Sequence, residues 1–358
     1  MGREVDTGRT YRVLGVMSGT SMDGIDLALC TFREEAGIWG HEVLLARTVP
    51  FSGSLEEQLE AAMDGKALDL ARLHTHLGCA IGMACADMLR EHPAELVASH
   101  GHTIFHRPAE GLTFQAGSGA HIAALSGVPV VCDFRTLDMA LGGQGAPLVP
   151  FGERALFPGY RAFLNLGGIS NLSVHRSEGF VGFDICPCNQ LLDGLAKEAG
   201  ARYDPDGRIA EAGHVNKELL ARLNALPFYA RSGPRSLGRE WYVETLRPLL
   251  EGTGLPLSDR MATAVRHIAE QILRSAKGAR ANEVLVTGGG AHNTALIKHL
   301  RSDPEVRIEV PAKELVDMKE AVIFAFLGLM RFLGRTNTLA SVTGAARDTV
   351  SGALYLPY

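Results

Sequence analysis

Residues 13–26 read VLGVMSGTSMDGID, and the way this stretch folds decides the reading of the rest. Val13, Leu14, Val16 and Met17 form an apolar run that reads as a buried strand. Ser18, Gly19, Thr20 and Ser21 then turn the chain, and residues 25–32 read as the returning strand. The product is a hairpin with a polar, glycine-bearing tip. Such a tip is either an ordinary turn, since glycine and serine are common turn residues, or an anion nest in which successive N–H groups converge on a ligand that glycine lets approach. The tip alone leaves both readings open. Asp23 and Asp26 weigh towards the second, because carboxylates beside a phosphate nest repel the ligand unless Mg²⁺ lies between them.

The pattern recurs in the second half. Residues 162–166 read as a strand, Gly167, Gly168, Ile169, Ser170 and Asn171 as a small-residue turn, and residues 172–175 as a return. A third strand is expected in each half, over 42–51 and 180–185, and further strands over 96–99, 112–116, 129–134 and 283–287. Helical spacing of apolar residues predicts helices over 54–63 (capped by Ser54), 69–92, 120–126, 189–200, 216–226, 240–250, 258–277 and 313–333. The Gly-Gly-Gln-Gly-Ala-Pro run at 142–147 breaks this pattern and marks the region where one domain gives way to the next. We therefore expect an α/β protein of two domains, 1–134 plus 336–358 and 135–335, facing each other across a cleft.

Composition narrows the function. The 358 residues are 46% hydrophobic and 21% charged, enough for two cores, and a net charge of -5 without a basic run gives no general attraction to nucleic acid or an anionic membrane. No segment reaches the ~20 apolar residues a spanning helix needs, and the charged N-terminus lacks a signal-peptide core, so a cytoplasmic protein is expected. Six scattered cysteines fit reduced thiols better than a disulfide framework. The Walker A, G-x-G-x-x-G and G-x-S-x-G patterns are absent, so any phosphate chemistry falls to the paired hairpins.

Several residues carry chemical possibilities. Asp184 ends an apolar strand just before Cys186-Pro187-Cys188; it is a general base, or a helix cap or carboxylate held by main-chain amides. Gly288, Gly289 and Gly290 follow a strand and precede a helix, as where a phosphate or flat ring meets backbone. Asp317 and Glu320 share a helical face, either solvated or lining the cleft. His100, His102 and His106 have no acidic cluster beside them, which favours a sugar contact or a strand cap over a metal site. The apolar helix at 321–333 serves a core or a homodimer face equally well.

Taken together, VLGVMSGTSMDGID, SHGHTIFH, GGQGAPLVP, NLGGISN, Phe183-Asp184, SLGREW, TGGGAHN, DMKEA and SVTGA, in this order, resemble the anhydro-N-acetylmuramic acid kinases from about Tyr11 to the C-terminus. The resemblance implies two ribonuclease-H-like domains of the actin and hexokinase type around a cleft that closes on ATP. It also implies use of ATP and Mg²⁺ to open the 1,6-anhydro bridge of an amino sugar and phosphorylate its 6-oxygen in peptidoglycan recycling. By motif match, Gly19, Thr20, Ser21, Met22, Asp23, Gly24, Ile25 and Asp26 are the ATP phosphate segment, with Asp23 and Asp26 nearest the metal. Asn165, Gly167 and Gly168 are the second phosphate hairpin, and Gly288, Gly289 and Asn293 lie beside the nucleotide. Asp184 is the base that activates water, Glu320 a second catalytic residue, and His102, Gln115, Arg135 and Glu320 shape the sugar side. The chain departs from the family pattern near the sugar. Cysteines replace two glycines after Asp184, which would narrow the pocket; Gly117-Ser118-Gly119-Ala120 replaces Gly-Asp-Pro-Ala, His102 stands at a glutamine-like position, and Leu237 replaces a threonine. The nucleotide assignment is thus firmer than the choice of sugar. Another anhydro sugar, or a silent ATP-dependent sugar sensor, is the alternative.

Overall fold

The structure is a computed structural model, and it describes residues 8–19, 24–176, 179–231, 235 and 237–357. The chain divides into two compact units, one formed by Met1–Pro158 with Met318–Tyr358 and the other by Gly159–Asp317.

In the first unit the hairpin expected around residues 13–32 forms: β1 (Thr10–Met17) pairs antiparallel with β2 (Ile25–Glu35), and β2 with β3 (Ile38–Val49). β4 (Leu96–Ser99) lies parallel on the other side of β1. β5 (His102–Arg107) and β6 (Leu112–Ala116) form a separate hairpin, so the SHGH segment continues as a strand rather than a loop. β7 (Val130–Cys132) runs parallel to β4. The second unit repeats the plan with β8 (Ala162–Leu166), β9 (Ile169–Arg176), β10 (Gly179–Pro187), β11 (Glu283–Thr287) and β12 (Arg307–Glu309) in the order β10-β9-β8-β11-β12. β8 is antiparallel to β9 and parallel to β11. β13 (Ala353–Tyr355) returns to the first sheet and gives the order β13-β7-β4-β1-β2-β3. A meander of three strands followed by two strands parallel to the first is the ribonuclease-H-like plan, and each unit carries it once.

Strand and helix in the first unit approach closely at Gly15. A Cβ there would lie 1.9 Å from the Ala321 carbonyl oxygen, on the helix Lys313–Phe332. Residues Ala321–Met330 of that helix are buried throughout, with Phe326 set against Phe32, Trp39 and Phe151 at centroid separations of 5.5, 5.4 and 6.0 Å. The apolar helix is therefore core and not a dimer face. Its packing, and that of Phe134 on Phe324 at 5.3 Å, place residues 135–158 and 318–335 with the first unit, where the sequence reading put them with the second. The glycine-rich run 142–147 likewise lies inside the first unit, because Gly145 N–H donates to Asp138 Oδ2 at 2.8 Å and Gln144 N–H to the Thr343 carbonyl at 2.9 Å. A buried ion pair, Lys319 Nζ to Glu153 Oε1 at 2.9 Å, stands in the same unit.

Most helices begin and end within a few residues of expectation. Ser54 is not the cap of the first: the helix is Gly53–Ala61, Ser52 holds the N-cap position, and its hydroxyl meets Ser54 Oγ at 3.3 Å. The helix expected at 240–250 is interrupted by a π-helical turn, Tyr242–Leu246. Pro248 has no N–H for the usual carbonyl and its ring crowds the preceding turn, so the wider turn ahead of it is the local solution.

The core of the second unit holds a buried polar chain. His267, fully buried on the helix Leu257–Gly278, meets Asn224 Oδ1 at 2.7 Å through Nδ1 and the Tyr229 hydroxyl at 3.0 Å through Nε2. Burial lowers its pKa to about 3, so the ring is neutral, Nδ1–H donates to Asn224 and Nε2 accepts from Tyr229.

Two outcomes follow from this packing. Gly15→Ala puts a methyl against main chain that cannot withdraw, so its urea midpoint should fall by the equivalent of about 1–3 kcal/mol, whereas Gly53→Ala, where a Cβ meets nothing within 4 Å, should leave it unchanged. The unfolded chain protonates His267 below its ordinary 6.5 while the native chain does not until about 3, so its stabilising effect is complete above pH 6.5 and is lost as pH falls towards 3. His267→Gln should reduce the slope of unfolding free energy against pH, measured in urea between pH 4 and 6, by about 1.4 kcal/mol per pH unit.

Candidate active site

In the second unit the glycine motifs meet at the ends of β8 and β11. Asn165 stands opposite Thr287 in the parallel register. The next residue on that side, Gly288, has φ +86°, and a Cβ there would sit 2.4 Å from Asn165 Oδ1 and 3.0 Å from Leu166 main chain. Only glycine satisfies both the left-handed conformation and the close approach. Beside it, Gly168 O accepts the Cys188 and Gln190 N–H groups at 2.8 and 3.1 Å, and Gly167 O accepts that of Asn189 at 3.1 Å. The hairpin tip is thus tied to the first turn of the helix Asn189–Ala196, and Asn189 Nδ2 donates to Leu166 O at 3.1 Å.

Gly168 and Gly289 are exposed, and a Cβ on Gly289 would meet only Asn189 Nδ2, at 3.6 Å. Open main chain next to a helix start is a surface suited to a phosphate. The Thr287 hydroxyl and Gln190 Oε1 are buried there without a hydrogen-bond partner among the described residues. The structure brings Asn165, Gly167, Gly168, Gly288 and Gly289 together. Asn293 uses Oδ1 to cap the helix Thr294–Arg301, accepting Leu296 N–H at 3.0 Å. Asp317 pairs with His292 at 2.5 Å.

Asp184 lies near the end of β10, partly exposed, where the pairing with β9 shifts between Asp184 and Cys186. Its N–H donates to Arg235 O at 2.9 Å, and its Oδ2 accepts the Leu237 N–H at 2.9 Å. The carboxylate held by a main-chain amide, one of the two sequence readings, is therefore present, and it leaves the residue partly open to solvent. Leu237 departs from the family threonine, but what it gives Asp184 is a main-chain N–H that any residue except proline supplies.

Cys186 and Cys188 do not narrow a pocket. Both are fully buried in the core of the unit, Cys186 Sγ lies 3.3 Å from Ser170 Oγ, and burial pushes the Cys186 thiol up to about 12 and the Cys188 thiol up as well. Cys186 follows the bulge at Ile185, and Cys188 holds the N-cap position of the helix Asn189–Ala196.

In the first unit the segment expected to bind phosphate, residues 19–26, is described at its ends. Thr20, Ser21, Met22 and Asp23 lie outside the described residues; Gly19 precedes them, and Gly24 and Ile25 are buried at the start of β2. Asp26 is half-buried and its Oδ1 accepts the Thr48 hydroxyl at 2.6 Å. Ser18 Oγ lies 2.9 Å from His102 Nδ1, both buried, so the residue before Gly19 is tied to the segment after β4.

His100 connects to Arg135, one of the residues expected to shape the sugar side. Its Nε2 accepts from Arg135 Nε and Nη2 at 3.0 and 2.8 Å, Nδ1 lies 3.0 Å from Gly101 O, and its ring packs on Phe324 with centroids 4.5 Å apart. Burial, then the Arg135 charge, push His100 down to about 3, which fixes the neutral Nδ1–H tautomer and leaves it no nitrogen for a metal. Arg135 Nη1 also donates to Gly145 O at 2.7 Å. Gln115 donates to the Thr113 hydroxyl at 2.9 Å.

Glu320 is exposed at its own surface, yet surrounding protein raises its carboxyl above the ordinary range, with Lys319 and Arg135 drawing it back and Glu153 adding to the rise. Solvent reaches it and screens these interactions.

Asp138 has a part that sequence patterns do not reveal. Fully buried, it holds Gly145 N–H with one oxygen and the Thr343 hydroxyl at 2.7 Å with the other, joining the GGQGAP and SVTGA segments under Arg135. An acidic residue just ahead of a glycine-rich run is the only cue.

Residues 11–357 match the family model described as anhydro-N-acetylmuramic acid kinase. Curated relatives of that name include one from Pseudomonas fluorescens, 36% identical over 96% of this chain and 98% of the relative, and one from Pseudomonas syringae pv. tomato, 38% identical over the same shares. A third, from Xanthomonas oryzae pv. oryzae, is 37% identical over 96% of each chain. Among solved structures, a ROK family glucokinase from Streptomyces griseus in complex with glucose and AMPPNP aligns over 89% of this chain and 99% of its own, at 16% identity and a TM-score of 0.44, too distant to argue from. Match and relatives both run the length of the two units, and the chain belongs to the anhydro-N-acetylmuramic acid kinase family.

Proposed function

We propose that this chain is an ATP-dependent kinase that opens the 1,6-anhydro bridge of anhydro-N-acetylmuramic acid with water and phosphorylates O6, giving N-acetylmuramic acid 6-phosphate for cell-wall recycling. The observation that carries the reading is Asp184, partly exposed near the end of the edge strand β10, with its carboxylate oriented by the Leu237 amide. The names of the full-length relatives support the choice of sugar.

In this reading Asp184 takes a proton from water as the water oxygen bonds to the anomeric carbon. The bond from that carbon to the bridging oxygen breaks, and O6 then takes the γ-phosphoryl group while ADP leaves. Splitting the bridge asks for one carboxylate, and phosphoryl transfer asks mainly for position and charge neutralisation. The exposed main chain at Gly168 and Gly289 and the segment from Gly19 to Asp26 hold the phosphates. Arg135, Glu320, His102 and Gln115 serve the sugar. His102 is almost wholly buried and Gln115 is engaged with Thr113, so both act as much by shaping the wall as by contact.

Magnesium, when bound with the phosphates, neutralises their charge. One or two carboxylates suffice to hold it, so Asp26, oriented by Thr48, would fit as a ligand; Asp23, the other carboxylate expected from the sequence, lies outside the described residues. No helix among the described residues is long and apolar enough to cross a membrane. A cytoplasmic location and a homodimer belong to the same reading, with any dimer face outside the buried helix segment Ala321–Met330.

ADP release in a coupled assay should depend on the anhydro sugar, vanish with EDTA and return with Mg²⁺. Asp184→Asn should lower kcat by about 10²-fold or more, with the KM for ATP within about twofold of the parent. Turnover with a plain hexose but none with the anhydro sugar would overturn the bridge-opening mechanism.

A further inference from the structure

We infer that Arg235 is a positioning residue for Asp184, holding the amide donor that orients the catalytic carboxylate. The inference rests on Asp184 being the base. It starts from a feature of β10: at the bulge after Asp184 the pairing with β9 shifts, so the strand loses its regular register just where the carboxylate must be fixed. Arg235 supplies the missing constraint. Its carbonyl accepts the Asp184 N–H at 2.9 Å, and its Nε donates back to the Asp184 carbonyl at 3.0 Å. Both main-chain polar groups of Asp184 are thus engaged by one residue, distant in sequence.

The guanidinium that does this is itself seated on four sides. It lies over the Phe183 ring at 5.7 Å and the Phe228 ring at 5.2 Å; Nη1 donates to Arg231 O at 3.1 Å and Nη2 to the Ser275 hydroxyl at 3.2 Å. Phe228 is buried and set against Tyr229 and Trp241, and Tyr229 is tied to His267, so the seat is continuous with the core. Two residues beyond Arg235, Leu237 N–H meets Asp184 Oδ2. The aim of that amide depends on where Arg235 fastens the segment carrying it. A surface arginine resting on aromatic rings needs none of this reciprocity. Lysine, a point charge with no plane to stack, cannot reach three diverging acceptors while covering two rings.

The consequence has a direction. A hydrogen bond to a carboxylate favours the charged form, so loosening the Leu237 amide makes Asp184 easier to protonate and moves the acid limb of activity to higher pH. The titratable neighbours of Arg235 do not blur this: the Cys186 thiol and Tyr229 are both pushed up by burial and stay neutral through the assay range.

The test is steady-state ADP release from ATP and the anhydro sugar, pH 5–9, for the parent, Arg235→Gln, Arg235→Lys and Asp184→Asn, with thermal melts of each. We expect Arg235→Gln to lower kcat by about 10²-fold, the scale of a displaced reactive group, with the KM for ATP within about twofold and the acid limb shifted up. Arg235→Lys should recover part of the rate and show a smaller shift in the same direction; it carries the test by itself if the glutamine variant does not fold. A parent-like kcat and acid limb in whichever Arg235 variant folds, beside an inactive Asp184→Asn, would overturn this inference alone. An active Asp184→Asn would overturn the reading of the base and this inference with it.

Discussion

The parallel pairing of the first strand with the fourth is the interaction on which both units depend. Val16 lies opposite Ser99 in one, and Asn165 opposite Thr287 in the other. The second strand returns antiparallel on one side of the first while the fourth runs parallel on the other, so the carboxyl ends of the first and fourth strands open next to each other with their connections leaving in opposite directions. Ligands of open α/β sheets collect at such a point. Every glycine-polar motif of the chain that follows a first or fourth strand sits there: Ser18-Gly19 and Ser99-His100-Gly101 in the first unit, Gly167-Gly168 and Thr287-Gly288-Gly289 in the second.

This constraint explains how far the sequence could be read. Hairpins and buried strands announce themselves through apolar runs with glycine-polar tips, and the long helices through apolar spacing, because both signals are local. The domain boundary is not local. The glycine-rich run at 142–147 reads as a domain transition, but Gly145 is held by nearby Asp138 and Gln144 by Thr343, far along the chain, and the run belongs to a packed unit. Arg235 is missed for the same reason: its bonds to Asp184 span about fifty positions, and nothing around it marks it out. The two cysteines beside Asp184 show the same limit: their replacing two family glycines suggests a narrower pocket, but a side chain's direction past the bulge at Ile185 is set by packing, and both thiols lie in the core.

The two units use one plan with different chemistry at the shared position. In the second, the end of the fourth strand carries glycines and its neighbour is a hairpin tip whose carbonyls are taken up by a helix start, with the main chain of Gly168 and Gly289 exposed. In the first, the same position carries His100, whose neutral ring accepts from Arg135 and packs on Phe324, and His102, which holds Ser18. A surface of main-chain amides offers fixed partial charges that suit an anion without regard to its substituents. A surface of side chains locked to one another offers shape and directed donors, which suit a ligand told apart by its substituents.

Burial makes the second kind of surface rigid. His100 accepts from Arg135 only because desolvation and the adjacent cation keep its ring neutral; a protonated ring would have no lone pair to offer and would face a like charge. Arg135 in turn needs the Gly145 carbonyl, and Gly145 is where it is because Asp138 holds its N–H. Positioning therefore passes from a buried carboxylate through main chain to a guanidinium and then to an imidazole. Asp184 is fixed by the same device in reverse order, from a seated guanidinium through main chain to a carboxylate. In both units a polar side chain, Arg135 in one and Asp184 in the other, is held by a glycine-rich or irregular segment, and that segment is held by a further ionisable group, Asp138 or Arg235. Such segments have little intrinsic order, so the precision of the site has to come from these charge-assisted main-chain contacts.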